Sequence, residues 1–210
     1  CVLLSIILAC PAVAADPSSS RSVGVRLGFW SALQANELEV LPGEEVLTKV
    51  TRWYGEIHFS AGLRRGFAVG VSLGSYYRGE TRYNDPNGYY WKKVTIYPLT
   101  GELKYYPIYR SKKSRLQPYL DLGLAIVSGI EDLRFGEYAG PLLLLGQHTN
   151  SYLTLGWHVG AGLDFALSRV LSIGADFKYR WVRFGDNVGG MKDYSGPQAT
   201  VGLSYILGRL

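Results

Sequence analysis

Eight separate stretches of this 210-residue chain alternate apolar residues with small or charged ones at a period of two. Such alternation puts the two sets on opposite faces of a β-strand. Val23, Val25, Leu27 and Phe29 are separated by Gly24, Arg26 and Gly28. Trp53, Ile57, Phe59 and Ala61 stand against Arg52, Tyr54, Glu56, His58 and Ser60, and Phe67, Val69, Val71 and Leu73 against Ala68, Gly70, Ser72 and Gly74. The pattern returns near 97–105, 116–126, 153–165, 171–181 and 199–207. Each stretch runs to about ten residues, against the five or six usual in a soluble sandwich, and that is the length of a tilted strand crossing a bilayer. The second face mixes Gly, Ala and Ser with Arg26, Arg52, Glu56, His58, Glu102, Lys104, Asp121, His158, Asp164, Asp176, Lys178 and Arg180. A face turned to water has no need of glycine. A narrow eight-stranded barrel does, because its lumen is just wide enough for side chains to fill, and charges there must be paired. The expected fold is therefore all-β, an eight-stranded antiparallel up-and-down transmembrane β-barrel. Leu27, Ile57, Val71, Leu122, Val159, Ile173 and Val201 would face lipid, and the opposed charges would form a lumenal salt-bridge network.

Composition agrees, with 26 Gly and 16 Tyr against only 19% charged residues. A net charge of +5, with its one dense basic cluster at residues 110–115, argues for no nucleic-acid role. Residues 1–15, CVLLSIILACPAVAA, form an uncharged apolar run closing on small residues. This is the signature of a secretory signal peptide, here truncated at its start, which leaves residues 16–210 as the barrel. A lipoprotein signal ending at Cys10 is the alternative, with bulky Leu8 where a small residue is expected. Both cysteines, Cys1 and Cys10, lie in this leader, so the mature chain is expected to carry no disulfide, thiolate metal site or cysteine nucleophile. No later segment supplies a helical membrane span.

Connections alternate in length. Those at 62–65, 107–114 and 168–169 are short, and those at about 32–46, 78–92, 128–150 and 183–194 are long. Short turns face the periplasm in bacterial barrels, which puts both termini there. Phe29, Trp30, Trp53, Tyr76, Tyr77, Tyr89, Tyr90, Trp91, Trp157, Tyr179 and Trp181 fall towards the long-loop ends. Phe59, Phe67, Tyr105, Phe165 and Tyr205 fall towards the short turns, so two interfacial aromatic belts are expected. The third long loop holds four successive leucines at 142–145. They would extend strand six, dip into lipopolysaccharide, or form the mouth of a hydrophobic-ligand site.

The alternating strands, the segment 117–125 and the closing strand together resemble the small outer-membrane β-barrel family of the OmpA/OmpX type, across essentially the whole mature chain. Thr200, Gly202, Tyr205 and Leu207 resemble that family's barrel-assembly signal, although the chain runs on through Gly208 and Arg209 to Leu210 where the family ends on an aromatic residue. The resemblance implies the outer membrane of a two-membraned bacterium. It also implies outer-membrane lipids, lipopolysaccharide and the barrel-assembly machinery as partners, and a monomeric state.

Chemistry candidates are sparse. His58, Phe59 and Ser60 are similar to the His-x-Ser element of outer-membrane lipid A deacylases, with Ala61 where that family has Asn. The alternation points this pair into the lumen, away from acyl chains. His148 and His158 show no metal-ligand spacing, and the glycines form no phosphate loop. No catalytic, cofactor-binding or metal residue is therefore expected, and no cofactor. The expected role is structural or surface-interactive, through the outer loops. A narrow channel or transporter of small hydrophobic molecules, as in OmpW-type barrels, is the alternative, and a lipid A-modifying enzyme the third reading.

Overall fold

The computed structural model describes residues 20–32, 45–85, 88–108, 116–139, 142–168 and 170–209. Residues 1–15, the expected signal peptide with Cys1 and Cys10, and the basic run 110–115 lie outside them. So do Pro141, Leu210 and the side chains of Leu142 and Leu143. The elements are β1 (Ser20–Trp30), β2 (Glu45–Gly62), η1 (Arg64–Gly66), β3 (Phe67–Asp85), β4 (Gly88–Tyr105), β5 (Leu116–Ala139), β6 (Leu142–Ala166), β7 (Leu171–Val188), β8 (Met191–Asp193) and β9 (Gly196–Arg209). Each ring strand pairs antiparallel with its neighbours, and β9 pairs with both β7 and β1, for example Val25↔Leu203 and Leu27↔Val201. Eight strands thus close into a ring, and β8 is a short hairpin partner of β7 outside it. Closure removes the unpaired edges that an open sheet would present.

The period-two pattern explains which face went where. Leu27, Ile57, Leu122, Val159, Ile173 and Val201 are exposed on the outside, with Val71 half-exposed among them. Leu155 is 78% exposed and Leu124 74%. A continuous apolar girdle of that kind around a closed ring is stable only against hydrocarbon. Aromatic pairs mark its two margins. Phe29–Trp53 and stacked Trp157–Trp181 lie at the long-hairpin end and Phe67–Tyr105 at the short-turn end.

Three expectations are corrected. Trp30 and Tyr76 are fully buried inside the ring rather than in the outer belt, because they share the parity of Arg26 on β1 and Ser72 on β3. Arg52 is exposed rather than lumenal: the β2–β3 register slips between Val50 and Trp53, and this bulge breaks the alternation just before Trp53. The strands are also longer than ten residues, from 11 in β1 to 25 in β6. Most of the long connections expected at 78–92 and 128–150 are paired strand, aligned as Arg82↔Trp91↔Arg134↔Gln147. Of the three readings of the leucine run, extension of β6 is the observed one, with Leu145 opposite Gly136.

Above the girdle neither face is uniformly apolar, so alternation fades from the sequence while the ladder continues. A charge on the girdle costs about 2–4 kcal/mol at mid-membrane. Val159→Lys should therefore lower urea-unfolding stability in lipid vesicles by that amount and reduce the heat-modifiable folded band on gels. Gln147→Lys, on the exposed upper sheet, should leave both unchanged.

Candidate functional site

The lumen is filled in two layers. In the lower one, every strand of the ring places a polar side chain inward at the height where alternation is strictest. Arg26 of β1 bridges Glu56 of β2 at 3.0 Å and Asp176 of β7 at 2.9 Å. Lys178 of β7 bridges Glu102 of β4 at 2.7 Å and Asp121 of β5 at 2.8 Å. Lys104 adds a 3.5 Å contact to Glu102, and Arg180 a 3.7 Å contact to Glu56. Hydroxyls complete the set: Tyr54 donates to Glu56 at 2.6 Å, Thr200 to Asp176 at 3.3 Å, Ser72 to Glu102 at 3.5 Å, and Tyr119 to Asp176. Arg26, Lys104, Lys178 and Arg180 thus balance Glu56, Glu102, Asp121 and Asp176, all buried. Burial of that many charges is tolerable only with such pairing. Towards the short turns, Tyr106 donates to Asp164 at 2.8 Å and its ring packs 5.2 Å from that of Tyr119.

Small residues make the space. A side chain at Gly123 would overlap the His158 ring, and one at Gly74 would overlap Tyr54.

Arg180 joins the lower layer to the upper. Its guanidinium lies 5.5 Å from the Trp30 ring and 5.3 Å from Tyr54, and it donates to Gln198 and to Thr100. Above it Trp30, Tyr76, Val94, Ile96, Val127, Val182, Phe184, Val188, Met191 and Tyr194 form one buried apolar cluster. Sequence reading missed this layer, since Val188, Met191 and Tyr194 sit in what looks like an external loop. The signal was present in Gly189–Gly190 between apolar Val188 and Met191: the two glycines have φ of +62 and +88, as a tight hairpin turn requires. The turn is clamped from the ring. Gly189 N–H donates to Glu131 at 2.8 Å, Arg78 donates to the Gly189 carbonyl, and Lys92 pairs with Glu131. A side chain at Gly189 would run into Arg78 and Val94.

The chemistry candidates fare as follows. His58 does not meet Ser60: its Nε2 lies 3.1 Å from Ser204 Oγ, while Ser60 Oγ pairs with Ser22 Oγ at 2.7 Å. Glu102, Asp121 and His158 offer ligand atoms within 4.8 Å of one another, a grouping contributed by three strands that linear spacing conceals. Lys178 already supplies the positive charge between the two carboxylates. On the outer sheet, by contrast, a cleft of about 400 Å³ is lined by Arg82, Tyr89, Tyr90, Trp91 and Arg134. Burial, with Glu131 nearby, pushes the Tyr90 phenol above its ordinary pKa.

A closed eight-stranded ring, apolar outside and ion-paired within, defines the class of small integral membrane β-barrels. The chain belongs to the family described as Outer membrane protein beta-barrel domain, whose pattern matches residues 1–206. Its structural neighbours agree in fold. A major outer membrane protein of Thermus thermophilus matches with a TM-score of 0.52 at 12% identity, covering 90% of this chain and 100% of that one. The outer membrane protein OprG of Pseudomonas aeruginosa matches at 0.50 and 13%, covering 92% and 98%. No curated protein matches the chain. Family membership indicates a bacterial outer-membrane location.

Breaking a buried pair costs about 3–5 kcal/mol because the partners stay charged and unsatisfied. Lys178→Met should lower unfolding stability by that order. Adding Glu102→Gln and Asp121→Asn to it should restore part of the loss, as read from urea titrations of the refolded barrel.

Proposed function

We propose that this chain is a closed, non-enzymatic barrel that acts at the cell surface through its projecting β3–β6 sheet. The observation that supports this reading is the filled lumen. Charged and apolar layers occupy its height, and the β7–β8 hairpin is clamped across the long-hairpin mouth. With the interior committed to packing, the surfaces left for recognition are those of the hairpins that rise above the apolar girdle.

On this reading residues 1–15 are a signal peptide, residues 16–210 the mature barrel, and both termini periplasmic, so that the long hairpins face outward. The host is a two-membraned bacterium, and the protein is a monomer surrounded by lipopolysaccharide. Tyr205 and Leu207, exposed on the closing strand, would be read by the assembly machinery. The His58–Ser60 pairing on which the enzymatic reading rested is not formed: Ser60 pairs with Ser22, and His58 meets Ser204 instead. The transporter reading requires a path that the apolar upper layer occupies.

Planar-bilayer recording separates the two. The purified barrel should give no stepwise conductance above the bare membrane, and small hydrophobic solutes should equilibrate no faster across vesicles that contain it. Regular open-channel steps, or solute flux that scales with barrel number, would transfer the role to the transporter reading.

A further inference from the structure

The projecting sheet carries a site that strand alternation did not reveal. The β3–β4 register shifts between Tyr77 and Gly79, and past that bulge β3 turns Glu80 and Arg82 to the outer face. The register then aligns Arg82, Trp91, Arg134 and Gln147 in one row across β3 to β6. The next row towards the tip sets Tyr89 beside Gly136, whose missing side chain leaves room for the Tyr89 ring. This is the floor of the 400 Å³ cleft.

The row is held in place by its own contacts. Glu80 accepts from Trp91 Nε1 at 3.1 Å and from Arg82 Nη2 at 3.0 Å, and the Arg134 guanidinium lies over the Trp91 ring at 4.8 Å. Two guanidiniums thus flank an indole whose orientation is fixed, with a tyrosine one row away. Guanidinium forks suit the paired oxygens of phosphate, and flat rings suit the C–H faces of a sugar. Height narrows the ligand further. Arg134 lies four residues above Ile130 on the same face of β5, which on a tilted strand is on the order of 10 Å. Acyl chains of a lipid at this place would meet Leu153 and Leu155, exposed lower on neighbouring β6.

We propose that this cleft binds the phosphorylated saccharide headgroup of an outer-leaflet glycolipid, with Arg82 and Arg134 on phosphate and Trp91 and Tyr89 against a sugar ring. The inference rests on the outward orientation of the long hairpins given above. A soluble phosphosaccharide offers the same chemistry, and the lipid-linked form is favoured by the apolar face directly below.

The test is calorimetric titration of the whole refolded barrel in detergent micelles. Three probes are used: a short-chain lipopolysaccharide, the same material after phosphatase treatment, and its deacylated water-soluble saccharide. Arg82→Ala with Arg134→Ala should weaken binding of the intact glycolipid about tenfold, and phosphate removal should weaken wild-type binding to a similar degree. The deacylated saccharide should bind more weakly than the intact lipid but lose affinity with the same two substitutions. Arg183→Ala, exposed on β7 away from the cleft, should change nothing, and heat-modifiable migration checks that each variant is folded. Equal affinity in the double variant, or equal affinity after phosphatase, would overturn the site. A deacylated saccharide that binds as tightly as the intact lipid would overturn the lipid-linked source. Binding in micelles is independent of conductance and of topology, so failure here is distinguishable from failure of the surface-interaction reading.

Discussion

Charge balance inside a narrow ring is the constraint on which the rest of this structure depends. Eight strands enclose a lumen that side chains can fill and water cannot occupy in bulk. Charges placed there lose hydration worth several kcal/mol each, and only close, hydrogen-bonded partners compensate. The four cations and four carboxylates at the centre meet that condition by reaching across the ring as well as along it. Arg26 and Asp176 come from β1 and β7, and Lys178 and Glu102 from β7 and β4. These pairs tie together strands that share no backbone ladder. Closure by hydrogen bonds and filling by ion pairs are therefore one problem with one solution, and the lumenal glycines follow from it.

Much of this was legible because a barrel uses the strictest periodicity a chain has. The inward charges could be named from parity alone, and ten of the twelve expected lumenal residues are buried within the ring, with Asp164 half-buried beside Tyr106. Arg52 failed because a bulge breaks parity and leaves no trace in residue type. Trp30 and Tyr76 were assigned to the belt on their chemistry, although parity already placed them inside. Position on the strand outranked aromatic preference there. The upper plug was hidden for a different reason: a two-residue glycine turn can fold a loop back over a mouth, and nothing in the linear pattern says which way it folds. The Glu102, Asp121 and His158 grouping likewise depends on register between three strands.

The two ends of the barrel divide its tasks. Within the girdle, variation is confined by lipid on one side and by ion pairs on the other. Above it, β3 to β6 continue as a sheet freed from both demands, and there arginine, tryptophan and tyrosine stand on the same extension as exposed Phe135, Leu144 and Leu145. A bulge at the point of exit switches β3 parity, so that Glu80 and Arg82 share a face with Trp91 and Arg134. The same irregularity that disturbs the sequence pattern thus assembles the basic and aromatic cleft on the outer sheet.

The central claim is that the lumen is packed and dry from the Lys178 layer to the Val188 plug. Magnetisation transfer from water to protein, measured by solid-state NMR on the barrel in lipid bilayers, addresses it residue by residue. The account predicts rapid transfer to Gln147 and Arg183 on the exposed surfaces, and slow transfer to the side chains of Lys178, Arg180 and Gln198. Fast transfer to those three, matching that of the exposed residues, would mean a water-filled pore and would contradict the account.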